Sequence, residues 1–302
     1  MPVAGHGGQD LIRAPDILFD GYIFDLDGTI YLGDTPLPGA RRLIATLRDL
    51  DRRVLFLSNN PTKDRAQYAA KLSGMGIPTT PDQVLNTVVT MTDWLLRHHP
   101  TATVFPIGEE PLKRALTDVG IRISEDPAEI DVVIASYDRT FDYRKLQIAF
   151  DAIWFHKRAR LVATNPDRYC PFPGGHGEPD AAAIVAAIEA CTGATCELHT
   201  GKPSRLMLET ALNLLGLDAH QCVMVGDRLS TDIRMAHAAG MPSAVVLTGE
   251  TTPAMLSTAE DRPDHVLDRI DRLVPRSIWD SLGWSISNDS RPTTHDSRLE
   301  TD

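Results

Sequence analysis

Two carboxylates one residue apart, Asp25 and Asp27, stand in the run Phe24-Asp25-Leu26-Asp27-Gly28-Thr29, directly after an apolar segment that reads as a strand. Ligands in open α/β sheets bind at the carboxyl ends of strands, and Gly28 lets the backbone turn sharply beside one. Such a pair suits phosphoryl transfer, which needs an in-line nucleophile, a metal to neutralise charge and a proton for the departing alkoxide. Asp25 is the candidate nucleophile and Asp27 its acid/base partner. Asp and Gly are also common turn residues, so on this segment alone a plain turn stays open.

Three further segments place polar groups where a phosphate could be held. Ser58-Asn59-Asn60-Pro61 follows a second apolar run and precedes a helical stretch. A hydroxyl and backbone N–H groups there, beside the positive end of a helix dipole, suit a phosphate oxygen, though the same residues are natural caps. Lys202, in the turn Gly201-Lys202-Pro203, offers an ammonium that would keep a neighbouring carboxylate ionised and neutralise phosphoryl charge; a solvent-facing lysine is the alternative. The run from Val225 through Gly226, Asp227, Arg228, Leu229, Ser230 and Thr231 to Asp232 closes a third apolar segment with more carboxylates. Magnesium prefers oxygen ligands of this kind, which makes Asp227 the candidate direct ligand. Asp232 is either an outer partner of the metal site or a helix cap.

These segments need a scaffold that brings strand ends together. Apolar runs at Leu18–Phe24, Arg53–Leu57, Cys222–Val225 and Ala244–Leu247 alternate with amphipathic stretches, the pattern of a parallel sheet covered on both faces by helices. Leu43, Ile44, Leu47 and Leu50 share one helical face between the first two runs. A helix is expected at Leu206–Leu215, and another over Thr231–Ala239 ending at Gly240. The middle of the chain repeats the alternation, with strands at Thr103–Ile107, Asp131–Ala135 and Arg160–Ala163 and helices at Pro111–Val119 and Tyr143–His156. Tyr169–Pro179, rich in proline and glycine, reads as a loop returning the chain to the core. The fold class is therefore α/β, a doubly wound, Rossmann-like parallel-sheet core over 16–99 and 179–275. An inserted α/β domain occupies 100–178, and flexible termini are expected at 1–15 and 276–302.

Composition narrows the partners. At 302 residues the chain is long enough for two domains, and 42% apolar with 24% charged residues is ordinary for a soluble protein. The formal net charge of −11, without a long basic cluster, argues against nucleic-acid polymers and favours a small metabolite. No segment approaches a membrane span, and the glycine-rich start lacks the features of a signal peptide. Cys170, Cys191, Cys196 and Cys222 have neither zinc nor disulfide spacing and read as free thiols in a reducing cytoplasm. His98 and His99 read as an exposed pair rather than a metal site.

In this order, Asp25-Leu26-Asp27-Gly28-Thr29, Leu57-Ser58-Asn59, Gly201-Lys202-Pro203 and Gly226 to Asp232 resemble the four motifs of the haloacid dehalogenase (HAD) superfamily of aspartyl-phosphate phosphatases. The insertion between the second and third motifs resembles the type IIA branch with its large α/β cap, which includes NagD-like, pyridoxal phosphate and phosphoglycolate phosphatases. Tyr31-Leu32-Gly33, Pro38-Gly39-Ala40 and Ala163-Thr164-Asn165-Pro166-Asp167 add to the likeness, which spans roughly 18 to 270.

The resemblance implies that Asp25 attacks phosphorus and ligates Mg²⁺. It implies that Asp27 protonates the leaving group, then activates water, and gives the metal its backbone carbonyl. Ser58, with Gly28 and Asn59 beside it, would bind the phosphoryl group, Lys202 would hold Asp25, and Asp227, with Asp232 behind it, would complete the metal site. The cap would supply leaving-group contacts, with Asn165, Asp167, Arg168 and Tyr169 as candidates. Their hydrogen-bonding character favours a sugar or polyol phosphate; nucleotides, phosphoglycolate, pyridoxal phosphate or a phosphotransferase reaction are the alternatives. Cys170 stands where pyridoxal phosphate phosphatases carry a ring-stacking histidine, and Gly177-Glu178-Pro179-Asp180 alters the branch's glycine-rich return to the core. Members of the branch often assemble through their caps, so a homo-oligomer of that kind is a further expectation.

Overall fold

Short apolar runs that must be covered on both faces form two parallel sheets in the computed structural model, which describes residues 11–172 and 175–284. The chain begins the core with β1 (Gly21–Asp25), a small hairpin of β2 (Tyr31–Leu32) and β3 (Thr35–Pro36), then α1 (Ala40–Asp49) and β4 (Arg53–Ser58). It continues through α2 (Arg65–Gly74), β5 (Val84–Asn86) and α3 (Thr87–His98). The inserted unit contains β6 (Thr103–Ile107), α4 (Glu110–Asp118), β7 (Arg122–Ile123), β8 (Val132–Ala135), α5 (Tyr143–Phe150) and β9 (Arg160–Ala163). An antiparallel pair, β10 (Tyr169–Pro171) and β11 (Gly177–Pro179), follows, with α6 (Ala181–Thr192) behind it. The chain returns through α7 (Arg205–Leu215), β12 (Cys222–Gly226), α8 (Arg234–Ala238), β13 (Ser243–Val246), α9 (Pro253–Thr258) and β14 (His265–Leu267).

The core sheet has the order β14-β13-β12-β1-β4-β5, with every neighbouring pair parallel. Strand order runs outward in both directions from β1, so β1 ends at the topological switch point where such sheets bind ligands. The alternation of β1 sorts its side chains: Tyr22 and Phe24 pack with Leu43 and Leu47 of α1, whereas Ile23 packs with Met207 and Leu208 of α7. Register sets Asp25 beside Leu57 and Phe24 beside Val225, which brings Asp25, Ser58 and Asp227 to one end of the sheet.

The second sheet, β7-β6-β8-β9, is covered on one face by α3 and α4 and on the other by α5 and α6. Ile184, Val185 and Ile188 of α6 pack with Val133 and Leu161 of that sheet, so the cap runs past residue 178. The boundary expected there is corrected accordingly. The proline- and glycine-rich segment is a hairpin inside the cap, and an apolar helix face beyond it completes the cap's layer.

The described parts of both segments expected to be flexible, 11–15 and 276–284, are tied to the core instead. Arg13 exchanges two backbone hydrogen bonds with Val266 at 2.9 and 3.0 Å, because the outer edge of β14 needs a partner. At the other end, residues 276–284 form two short 3₁₀ turns that bury Trp279 and Trp284 against the β1 cluster. The expectation for 285–302 and for 1–10 lies outside the described residues. Two helices are also shorter than expected: α5 gives way after Phe150 to a wider turn over Asp151–Phe155, and α8 follows a similar turn over Leu229–Ile233.

Candidate active site

Lys202 is the centre of the site. It is 3% exposed, and its ammonium bonds Asp25 Oδ1 and lies 2.7 Å from Asp232 Oδ1. Burial alone would push its pKa down, but the charges of Asp232 and Asp25 outweigh that and raise it, so the amine stays protonated. Asn59 fixes the lysine from behind: its Oδ1 accepts from the Lys202 N–H at 2.7 Å and its Nδ2 donates to the Lys202 carbonyl at 3.1 Å.

Asp25, Asp227 and Asp232 each present an oxygen, and the three oxygens lie within 4.8 Å of one another. Asp227 Oδ2 accepts the Glu250 N–H at 2.7 Å, while its Oδ1 is buried with no partner. Asp232 Oδ2 accepts the Arg228 N–H at 3.1 Å. Burial first, then the neighbouring carboxylates, raises the pKa of Asp227; burial and Asp25 do the same for Asp232 against the opposing pull of Lys202. Three hard oxygen donors with one orphaned oxygen among them fit an oxygen-preferring divalent cation such as Mg²⁺. The cluster depends on close backbone approach. A Cβ on Gly226 would lie 2.2 Å from Asp232 Cγ, and one on Gly28, whose φ is 83°, would lie 2.5 Å from Asp227 Oδ2. Gly28 therefore makes room for Asp227.

Asp27 reaches solvent, and its carboxyl lies outside the three-carboxylate cluster. Protein packed around its carboxyl, then the charge of Asp25, pushes its pKa up, as an acid catalyst requires. The buried Tyr31 hydroxyl lies beside the Asp27 carboxyl, which it stabilises in the ionised form against that burial. Ser58 Oγ accepts the Asn60 N–H at 3.2 Å and donates to Tyr68 Oη at 3.1 Å. Thr29 Oγ1 donates to Asp25 Oδ2 at 3.4 Å.

Several sequence-based candidates for substrate binding have their side chains engaged elsewhere in the fold. Asn165 is fully buried, its Nδ2 donating to Asp167 Oδ2 at 2.9 Å and to Asp180 Oδ1 at 3.1 Å, so it shapes the cap loop. Asn59 is occupied by Lys202 and by Asp167, to whose Oδ2 it donates at 2.8 Å. Arg168 and Tyr169 line an open depression with His176 and Glu178 that includes none of the residues around Asp25. Asp167 does face the core: its Oδ1 lies 3.5 Å from Arg228 Nη1, and Arg228 Nε is 3.1 Å from Glu250 Oε2. Arg228 was missed in the sequence, although an arginine directly after a metal-type aspartate is a legible signal. Tyr68, which bonds Ser58 from a helix ten residues on, gave none.

A carboxylate held by a buried lysine, a second acid two residues on and an oxygen-donor cluster at a switch point are what phosphoryl transfer requires. Comparison with known proteins makes the class specific. A model of haloacid dehalogenase-like hydrolases matches residues 22–122, and a HAD-hydrolase-like model matches residues 199–273. The sugar-phosphatase AraL of Bacillus subtilis is 39% identical over 254 residues, 83% of this chain and 90% of the relative. The 4-nitrophenylphosphatase structure from Thermotoga maritima superposes with a TM-score of 0.79 at 35% identity, covering 84% of this chain and 96% of that one. The glycerol phosphate phosphatase of Mycobacterium tuberculosis, solved in complex with magnesium, matches at 31% identity and TM-score 0.77, over 84% of this chain and 76% of that one. The chain belongs to the haloacid dehalogenase superfamily, in its type IIA branch, and is a phosphoric monoester hydrolase.

Proposed function

We propose that the chain hydrolyses a small sugar or polyol phosphate through an aspartyl-phosphate on Asp25. The observation that carries the reading is Lys202, buried between Asp25 and Asp232, with the unpartnered Oδ1 of Asp227 in the same cluster. Held by Asp25, Asp227, Asp232 and the Asp27 carbonyl, Mg²⁺ would neutralise charge on the phosphoryl oxygens and the nucleophile. The Asp25 carboxylate attacks phosphorus, the P–O bond to the leaving group breaks, and Asp27 gives its proton to the departing alkoxide. Asp27, now ionised, takes a proton from water as that water attacks phosphorus, which breaks the bond to Asp25 and releases phosphate. Ser58 can turn its hydroxyl from Tyr68 to a phosphoryl oxygen, and Lys202 holds Asp25 ionised and aimed throughout.

The relatives named for sugar and glycerol phosphates support the leaving-group class. The chain's acidity supports a small metabolite over a nucleic-acid polymer. Among the described residues no helix is long and apolar enough to cross a membrane. Exposed Tyr143, Trp154 and Phe155 on the cap offer apolar surface for the association expected of the branch.

The test is phosphate release from sugar, polyol, nucleotide, glycolate and pyridoxal phosphates with Mg²⁺, compared by kcat/KM. Sugar or polyol esters should lead, EDTA should silence every reaction, and Asp25→Asn should fold normally and release no phosphate. Preference for a nucleotide or pyridoxal phosphate would reject the substrate class. Transfer of the phosphoryl group to an added alcohol in place of water would reject hydrolysis as the main reaction.

A further inference from the structure

We infer that the loop after β13, residues 247–252, sets which cation the carboxylate cluster takes: it holds Asp227 to a single ligating oxygen and so favours Mg²⁺ over Ca²⁺. The inference rests on the metal-dependent reading above and adds to the site a segment that lies outside the four motifs.

The loop is anchored at both ends. The Leu247 N–H donates to the Leu267 carbonyl of β14 at 2.9 Å, and Thr252 Oγ1 caps α9 by accepting the Met255 N–H at 3.4 Å. Between these anchors its polar groups are directed at the ends of β1 and β12. The Thr251 hydroxyl and N–H both donate to the Asp227 carbonyl, at 2.6 and 3.0 Å, and Thr251 is buried. The Thr248 hydroxyl donates to the Gly28 carbonyl at 2.7 Å, and the Glu250 N–H donates to Asp227 Oδ2 at 2.7 Å. Gly249 lies against the same side chain, where a Cβ would fall 2.6 Å from Asp227 Cβ and closer still to Oδ2. Gly28 closes on that oxygen as well, and a Cβ on it would lie 3.2 Å from Gly249 Cα.

The loop thus occupies the Asp227 carbonyl and one of its carboxylate oxygens. Oδ1, buried and without a partner, is the atom left for a cation. The other carboxylates are engaged in a similar way. Asp232 accepts the Arg228 N–H on Oδ2 at 3.1 Å and faces Lys202 with Oδ1 at 2.7 Å, and Asp25 Oδ1 is bonded by Lys202. Single oxygens suit Mg²⁺, which takes about six ligands at about 2.1 Å in a near-octahedral shell and keeps several waters. Ca²⁺ takes about six to eight oxygens at about 2.3–2.6 Å, often both oxygens of one carboxylate. Asp227 cannot offer both without breaking its bond to the Glu250 N–H and moving a loop that is anchored on either side. Thr251 is a positioning residue: it fixes the backbone from which Asp227 projects, as partners behind a metal ligand commonly do.

The test is cation binding to the full-length enzyme in metal-free buffer, read from the rise of Tm with added magnesium or calcium chloride and compared as a ratio of apparent Kd values. The wild type should bind Mg²⁺ more tightly than Ca²⁺. Thr251→Val, which keeps the shape and removes the hydroxyl, should weaken Mg²⁺ binding by about tenfold, the usual effect of losing a group that orients a ligand. It should weaken Ca²⁺ binding far less, so that the preference shrinks toward one. Thr251→Ser should restore the wild-type ratio. Gly249→Ala crowds Asp227 off the Glu250 N–H without removing a hydroxyl; it should shrink the ratio too, and it decides the matter if Thr251→Val does not fold. Equal weakening of both cations, an unchanged ratio in both variants, or a wild type that binds Ca²⁺ as tightly as Mg²⁺ overturns the inference. A wild type whose Tm responds to neither cation also removes it, and if its phosphate release then resists EDTA, the metal-dependent reading beneath falls with it.

Discussion

A single ammonium among three buried carboxylates sets the behaviour of the site at the scale of the residue. Asp25, Asp227 and Asp232 would repel one another strongly, and among the described residues Lys202 is the only cation in contact with two of them. Removing one partner of a buried ion pair typically costs about 3–5 kcal/mol, because the remaining charge is left uncompensated. Lys202→Met should therefore lower the Tm markedly while preserving side-chain volume. Millimolar Mg²⁺ should recover more Tm in the variant than in the wild type, since the cation then has the whole cluster to itself. Phosphate release should fall by about 10²–10³, the loss expected when a preorganised charge is taken from a reacting centre. Melting curves with Mg²⁺ and with EDTA check the first two statements, and equal Mg²⁺ responses in both proteins would reject the shared cluster. Much of this was legible from residue types alone: carboxylates at strand ends and a lysine in a turn can be read without coordinates. The roles of Asn59 and Asn165 could not. A polar side chain in a loop looks available to substrate until the structure shows its hydrogen bonds already spent on the fold.

Helix α6 shows what happens between elements. Its N-cap, Asp180, accepts from the Ala181 N–H at 2.6 Å and from Asn165 at 3.1 Å, yet burial pushes its pKa up to about 6 against those bonds. The folded state thus holds a proton that the unfolded chain, with an aspartate near 4, has already released. Stability contributed by this group is full below about pH 4 and declines as pH rises to about 6, above which the loss is complete. Asp180→Asn keeps an acceptor for the helix N-terminus and removes the ionisation. It should match the wild type near pH 4 and exceed it above pH 6, by at most about 3 kcal/mol. Denaturant midpoints at both pH values measure the difference, and a variant less stable at pH 7 would show that the ionised carboxylate is the better cap. The helix was also where the sequence-based domain boundary failed. Apolar runs such as β1 and β12 identify themselves, but which sheet a helix covers depends on pairings made far away in the chain. Ile184, Val185 and Ile188 answer strands that end at Ala163, and the proline-rich hairpin between them imitated a domain boundary.

One amide ties the cap loop to the lysine of the core. Asn59 donates to Asp167 of the cap and to the Lys202 carbonyl of the core, while accepting from the Lys202 N–H. Arg228 approaches Asp167 from the loop that carries Asp227. The position of the cap loop and the aim of the lysine on Asp25 are therefore mechanically linked, although Asp167 touches neither Asp25 nor Lys202 in the described contacts. Small displacements at a reacting centre are costly, so Asp167→Ala should lower kcat by about 10- to 100-fold with a smaller change in KM. Amide exchange should rise at 59–60 and 201–202 but stay constant in α1, on the other side of the sheet. Asn59→Ala should have the same signature, because it removes the same link from the other end. The double variant should then lose no more than the worse single one, a coupling of about 0.5–3 kcal/mol between a core and a cap residue. Additive losses would mean that the cap is carried on the core as an independent body, and that the lysine is aimed by the core alone.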